Sequence, residues 1–133
     1  DRGVAMQSPQ LQLYNKTFDL AKGYDIPIIS QKEMTEDISY PFVVLSRSDG
    51  RMNIGSFDTI DGQTSVTIDI WSQESDLGLH DSIVYGLQVD LSQLETLPNY
   101  QVRLNDITVN QISDNTTNQS LAHSQIVAEF NTY

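Results

Sequence analysis

A chain of 133 residues, 38% of them hydrophobic and 19% charged, has apolar material for one compact core. That excludes both a disordered tail and a pair of ordinary domains. Seven Lys and Arg stand against 18 Asp and Glu, a formal net charge of -11. A surface this acidic repels phosphate, which argues against tight wrapping of nucleic acid. It leaves open docking onto a basic protein, or guiding DNA past a wall that does not grip it. With no Cys, disulfides, thiolate metal sites and cysteine nucleophiles fall away together.

From the N-terminus, Asp1–Ala5 precede Met6, which reads as a natural start, and they have neither the basic nor the apolar segment of a secretory leader. They are expected to be an expression remnant or a disordered tail, ahead of a single domain over 6–133. No apolar run approaches the ~20 residues needed to cross a bilayer, so no membrane contact is expected.

Ser8-Pro9 pairs a favoured helix cap with a residue suited to the first helical position. Leu11, Tyr14, Phe18 and Ala21 then recur at helical spacing, and Gly23 stands where the helix should stop. The spacing predicts an amphipathic helix over Pro9–Lys22. Ile26-Pro27-Ile28-Ile29 reads as a short edge strand, since Pro27 cannot donate to a central ladder. Gln31–Asp37 is polar and reads as loop or a single helical turn.

Pro41–Ser46 is a short apolar strand opened by a proline. Thr64–Ser72 alternates most clearly, with Val66, Ile68 and Ile70 on one side and Thr67, Asp69 and Trp71 on the other. Between them, Arg47–Gln63 holds two turn signals, Asp49-Gly50 and Asp61-Gly62, and is expected to be a long loop. A second helix, capped by Ser75, is expected from Asp76 to about Leu91, with Leu77, Ile83, Val84, Leu87 and Leu91 on one face. Two strands follow, Gln101–Val109 with a phase break at Asn105-Asp106, and Leu121–Asn131; a polar Asn- and Thr-rich turn joins them. The expected fold is α+β, a mixed or antiparallel sheet of about four strands with two helices packed on one face and a long loop between the first two main strands.

Motifs for chemistry are sparse. His80-Asp81 are neighbours on a helix and point in different directions, so His80 is expected to be solvated or partner-facing, and His123 to be a surface strand residue. There is no Gly-x-Ser-x-Gly turn, no glycine-rich phosphate loop, and no EF-hand spacing among Asp49, Asp58 and Asp61. No catalytic residue, cofactor or metal is expected, and the chain is not expected to be an enzyme. Trp71 has two readings: it lies under a second covering layer, or it meets a neighbouring subunit. Ile54 and Phe57, in an otherwise polar stretch, lean toward an interface.

The order Tyr40-Pro41-Phe42-Val43-Val44-Leu45, an acidic segment, then Val66-Thr67-Ile68-Asp69-Ile70-Trp71-Ser72 and an amphipathic helix resembles the tail-completion (tail-terminator) family of long-tailed bacteriophages. The resemblance runs from Leu11 to Phe130 and rests mostly on core strand residues. It implies a non-enzymatic ring, typically a hexamer, at the head-proximal end of the tail. Such a ring stops the tail tube and joins it to the head. Its partners would be other copies of the chain, the tail tube protein and the head-completion or connector protein, with DNA passing through without specific binding. Its place would be the virion's head–tail junction, after assembly in the host cytoplasm. A subunit or tube interface at Arg47, Arg51, Ile54, Phe57 and Trp71 is the corresponding expectation. Part of the acidic set Asp49, Asp58, Asp61 and Asp114 would line the lumen. Two alternatives stand beside this one: a head-completion or neck adaptor on the portal side, and a small acidic protein-binding module of non-viral origin.

Overall fold

The computed structural model describes residues 7–30, 39–54, 60–112 and 121–133. In chain order these form helix α1 (Pro9–Lys22), strand β1 (Ile28–Ser30), β2 (Phe42–Ile54), β3 (Ile60–Gln73), a 3-10 turn at Glu74–Asp76, helix α2 (Leu77–Ser92), β4 (Val102–Ile112) and β5 (Leu121–Thr132). The class is α+β, and the sheet is mixed. Among the described residues it has five strands in the order β1-β2-β3-β5-β4, of which only the β1–β2 pair is parallel. No helix among the described residues is long and apolar enough to cross a membrane.

The alternation read from the sequence assigns the faces. Val43 and Leu45 of β2, Val66, Ile68 and Ile70 of β3, and Ile126, Ala128 and Phe130 of β5 are buried in one cluster with Leu13 and Ala21 of α1 and Ile83, Val84, Leu87 and Leu91 of α2. Both helices therefore cover the same face. Helix α1 lies over β2 and β3, and α2 over β3 and β5, reaching β4 more lightly. Each fully buried Leu, Ile or Phe contributes about 1.5–3 kcal/mol. Pairing a period-2 stripe with a period-3.6 stripe thus accounts for the architecture.

Helix α1 begins as its sequence requires. The Ser8 hydroxyl accepts from the Leu11 amide at 3.2 Å, and Pro9 takes the first turn. Its end differs from expectation: Gly23 keeps a right-handed conformation, and the left-handed residue of the exit turn is Asp25, at φ 56°. Ser75 is likewise not a cap. It sits within the 3-10 turn, and α2 starts after Asp76 with no side-chain cap. The helices are tied by the Tyr24 hydroxyl, which donates to Asp90 Oδ2 at 2.9 Å. Burial, then the hydrogen bond to Asp90 and its charge, push the Tyr24 pKa up to about 12.

The expected long loop over Arg47–Gln63 is mostly not a loop. Strand β2 continues to Ile54 and β3 begins at Ile60, and the two pair antiparallel from Phe42↔Trp71 out to Ile54↔Ile60. Asp49-Gly50, read as a turn, falls instead at the register shift between Arg47 and Gly50. Backbone ladder bonds hold such an arm without the apolar alternation that a core-facing strand needs, so its sequence shows no period. The phase break near Asn105 is real: the β4–β5 register shifts between Leu104 and Asp106.

Candidate functional site

Polar and aromatic side chains gather at one end of the β3–β5 pair, on both faces of the sheet. The register sets Trp71 opposite His123, Ile70 opposite Ser124, and Asp69 opposite Gln125. Successive residues alternate faces, so Ser72 and Ser124 point toward α2, while Asp69, Trp71 and His123 occupy the second face.

On the helix side, His80 is buried, with 4% of its surface exposed. Its Nδ1 lies 2.8 Å from Ser72 Oγ and its Nε2 lies 2.8 Å from Ser124 Oγ, and both serines are buried. The imidazole joins α2 to β3 and β5 together. Burial holds its pKa below the ordinary histidine value, with Asp81 opposing and His123 adding to the effect. A neutral ring has one donor and one acceptor nitrogen, and the two hydroxyls can rotate to match either tautomer. This corrects the expectation of a solvated or partner-facing His80. The signal was present in the sequence, because His80 precedes Ile83 and Val84 by three and four residues and so continues the buried stripe.

On the second face, Trp71 and His123 stack with ring centroids 3.7 Å apart and planes 17° apart. Phe42 stacks on the other side of Trp71 at 6.3 Å, and Tyr40 lies 5.2 Å from Phe42. The four rings make a band across β2, β3 and β5. His123 Nε2 lies 2.7 Å from Asp69 Oδ1, which also accepts from Gln125 Nε2 at 3.2 Å. His123 is thus a half-buried member of a cross-strand network rather than a free surface residue. Farther along this face Asp106 and Glu129, both exposed, sit opposite each other in the β4–β5 register.

As chemistry, the Ser124–His80 pair resembles half of a nucleophile–base arrangement. The orienting carboxylate of such a site is replaced by a third polar group, Ser72, and both hydroxyls are withdrawn from the surface. Among the described residues no three His, Asp or Glu side chains converge as metal ligands would. The arrangement is suited to fixing α2 on the sheet.

Of the interface residues expected from sequence, Trp71 is placed fully: half-buried, and stacked within its own chain on His123 and Phe42. Arg47, Arg51 and Ile54 lie on the outer part of β2, in register with Val66, Gln63 and Ile60. Asp49 lies at the register shift and Asp61 opposite Asn53; the side chains of these five residues lie outside the described residues. So do the whole of Phe57, Asp58 and Asp114, together with Asp1–Ala5 and Gln31–Asp37. The structure therefore brings Arg47, Arg51, Ile54 and Asp61 onto the outer part of the β2–β3 pair, where residues 53–54 and 60–61 run past the end of β5, and puts Trp71 toward the opposite end of β3.

Neither a family model nor a curated protein matches this chain. Solved structures do match its fold. One aligns over 97% of this chain and 97% of its own, with a TM-score of 0.61 and 11% identity. Another, from the virion of a native gene transfer agent (GTA) particle, aligns over 92% of this chain and 94% of its own, with a TM-score of 0.60 and 8% identity. At these identities the likeness shows a shared fold.

Proposed function

We propose that this protein is a structural virion component that forms a ring at the head-proximal end of a phage tail, ends the tail tube there, and joins the tail to the head while DNA passes through. It carries out no bond-making chemistry. The observation that carries this reading is the fold shared, nearly end to end, with a chain of a gene transfer agent virion. Three features support it. The polar cluster is internal and holds elements together. The tip of the β2–β3 pair, residues 53–54 and 60–61, runs past the end of β5. The surface charge lets a duplex slide without phosphate anchoring.

The partners in this reading are further copies of the chain, the tail tube protein and the head-completion or connector protein. The place of action is the head–tail junction, reached after assembly in the host cytoplasm. Part of the set Asp49, Asp58, Asp61 and Asp114 lines the passage, and Lys replacements there slow DNA ejection. The test is native mass measurement combined with mixing experiments. A ring, typically of six copies, that caps tails lacking it is the expected result. Binding to heads but not tails would make it a neck adaptor. A monomer at every concentration would leave a small acidic binding module.

A further inference from the structure

The sheet has two edges, and they differ. Strand β4 is paired on one side only, with β5, along Val102–Ile112. Near its start the outer side is occupied, since the Val102 amide donates to the Glu95 carbonyl at 2.9 Å. From Leu104 to Ile112 no strand among the described residues pairs with that outer side. At the other edge, β1 covers β2 only at Val43, Val44 and Leu45, so the stretch Ser46–Ile54 has no outer strand among the described residues.

Natural sheets protect long edges with lysine, proline, bulges or a cover, because a row of unpaired N–H and C=O groups is a template for another strand. From Asp106 to Ile112, beyond the bulge, β4 has no lysine, no proline and no register shift. It also carries half-exposed Ile107 and Val109 beside the core, and Ile112 at 38% exposure. Such an edge fits a partner strand better than it fits water.

Charge and direction select which strand. Residues 1–51 hold six of the seven basic side chains against seven acidic ones, a net of -1; residues 52–133 hold one basic against eleven acidic, a net of -10. Strand β2 carries Arg47 and Arg51 against Asp49, a net of +1, while β4 and its neighbour β5 carry Asp106 and Glu129 against Arg103, a net of -1. Pairing β4 with a second β4 across a two-fold axis would bring the acidic halves together, at a cost. Pairing β4 with β2 joins a net negative strand pair to a net positive strand. Strands β2 and β5 run one way, and β3 and β4 the other. Copies related by rotation about a ring axis keep the same sense along it. The β4 of one copy therefore meets the β2 of the next antiparallel, the more stable ladder geometry.

Resting on the ring reading above, we propose that the Ser46–Ile54 edge of one copy adds to the Leu104–Ile112 edge of the next, so that the sheets join into one continuous wall with every helix pair on the same side. This is a head-to-tail contact between two different patches, as a closed ring requires. The blocked Val102 end forces a stagger between neighbouring copies, which gives the strands a tilt to the ring axis, as in closed barrels.

The test uses the whole chain and sedimentation velocity at fixed low salt, with circular dichroism to verify folding. Thr108 and Asn110 are exposed positions on β4, outside the core. We expect R47E/R51E and T108K/N110K each to weaken association at least tenfold, and the chain carrying all four changes to regain it. Amide exchange over 104–112 should slow on assembly of the wild type. An oligomer unaffected by either pair of changes overturns the edge contact while leaving the ring reading in place, and so does a four-fold variant that fails to recover. Loss in T108K/N110K alone assigns the edge to a two-fold β4–β4 contact and overturns the proposal. A wild-type chain that stays monomeric brings down the ring reading itself.

Discussion

The indole of Trp71 lies nearly parallel to the imidazole of His123, 3.7 Å away, at directly paired positions of β3 and β5. The contact links β3 and β5 on the face the helices do not cover. The same imidazole holds the 2.7 Å hydrogen bond between His123 Nε2 and Asp69 Oδ1. Replacing Trp71 with Ala removes a half-buried aromatic ring and two stacked neighbours. A loss of about 1–3 kcal/mol is expected, below the range for a fully buried ring. Urea unfolding followed by far-ultraviolet dichroism measures it, since Trp71 is the sole tryptophan and cannot report on its own removal. A change of less than a few tenths of a kcal/mol would mean that the band of rings holds nothing together.

His80 makes stability depend on pH in a defined direction. Burial lowers its folded-state pKa, so between that value and the unfolded value near 6.5 the unfolded chain binds more protons. Stability is therefore full above about pH 6.5 and declines as pH falls through the folded-state pKa. Urea midpoints measured from pH 7.5 to 5 should fall for the wild type. His80→Leu should be less stable at neutral pH, because Ser72 and Ser124 lose their buried partner, and its profile should be flatter over the same range. An equally steep decline in His80→Leu would assign the pH dependence to other groups.

Gly86 has no room for a side chain. A Cβ there would clash with the Tyr24 hydroxyl oxygen and lie 2.9 Å from two of its ring carbons. Gly86→Ala should gain about 1 kcal/mol from helix propensity. It should lose more by displacing Tyr24 and breaking the bond to Asp90, for a net destabilisation of about 1–2 kcal/mol. Thermal unfolding of Gly86→Ala beside Gly78→Ala makes the comparison internal, because Gly78 has open space around it and should only gain. Equal stabilisation of both variants would contradict the packing described.

Asp106 and Glu129 place like charges opposite each other on exposed strand positions. Glu129→Lys should convert a repulsive pair into an attractive one, worth about 0.2–1 kcal/mol, and the gain should shrink at high salt. Chemical unfolding at low and high ionic strength tests this. A gain that ignores salt would need a cause other than charge.

The core stripe of the sheet followed the expectation closely, whereas the helix faces shifted: α1 buries Gln12, Leu13, Thr17 and Ala21 with the expected Leu11, Tyr14 and Phe18 only partly covered, and Leu77 of the expected α2 face is exposed. The helix over Pro9–Lys22, the Val66/Ile68/Ile70 stripe and the bulge near Asn105 follow from burial periods and local chemistry. The outer part of the β2–β3 pair does not, because Ser46–Ile54 has no apolar alternation to read, and Asp49-Gly50 serves a bulge as well as it would a turn. The His80 site was half legible. Its place on the α2 stripe follows from spacing, while its partners Ser72 and Ser124 are separated from it by eight and 44 residues and meet it only through sheet register. The Trp71–His123 stack depends on that same register, which no local pattern encodes.

Strand β5 sits between β3 and β4, although it is the last of the five to be made. On the ribosome, the hairpin of β2 and β3 therefore emerges with its inner side bare, and that side stays uncovered until some fifty more residues have left the exit tunnel: β3 residue Gln73 waits for Leu121, and Gly62 waits for Thr132. Pairings of such long range make folding slow, on the order of milliseconds to seconds. During that interval the nascent chain offers an apolar strand to its neighbours, so its yield in a cell should respond to translation speed and to holding chaperones more strongly than the stability of the finished domain would suggest.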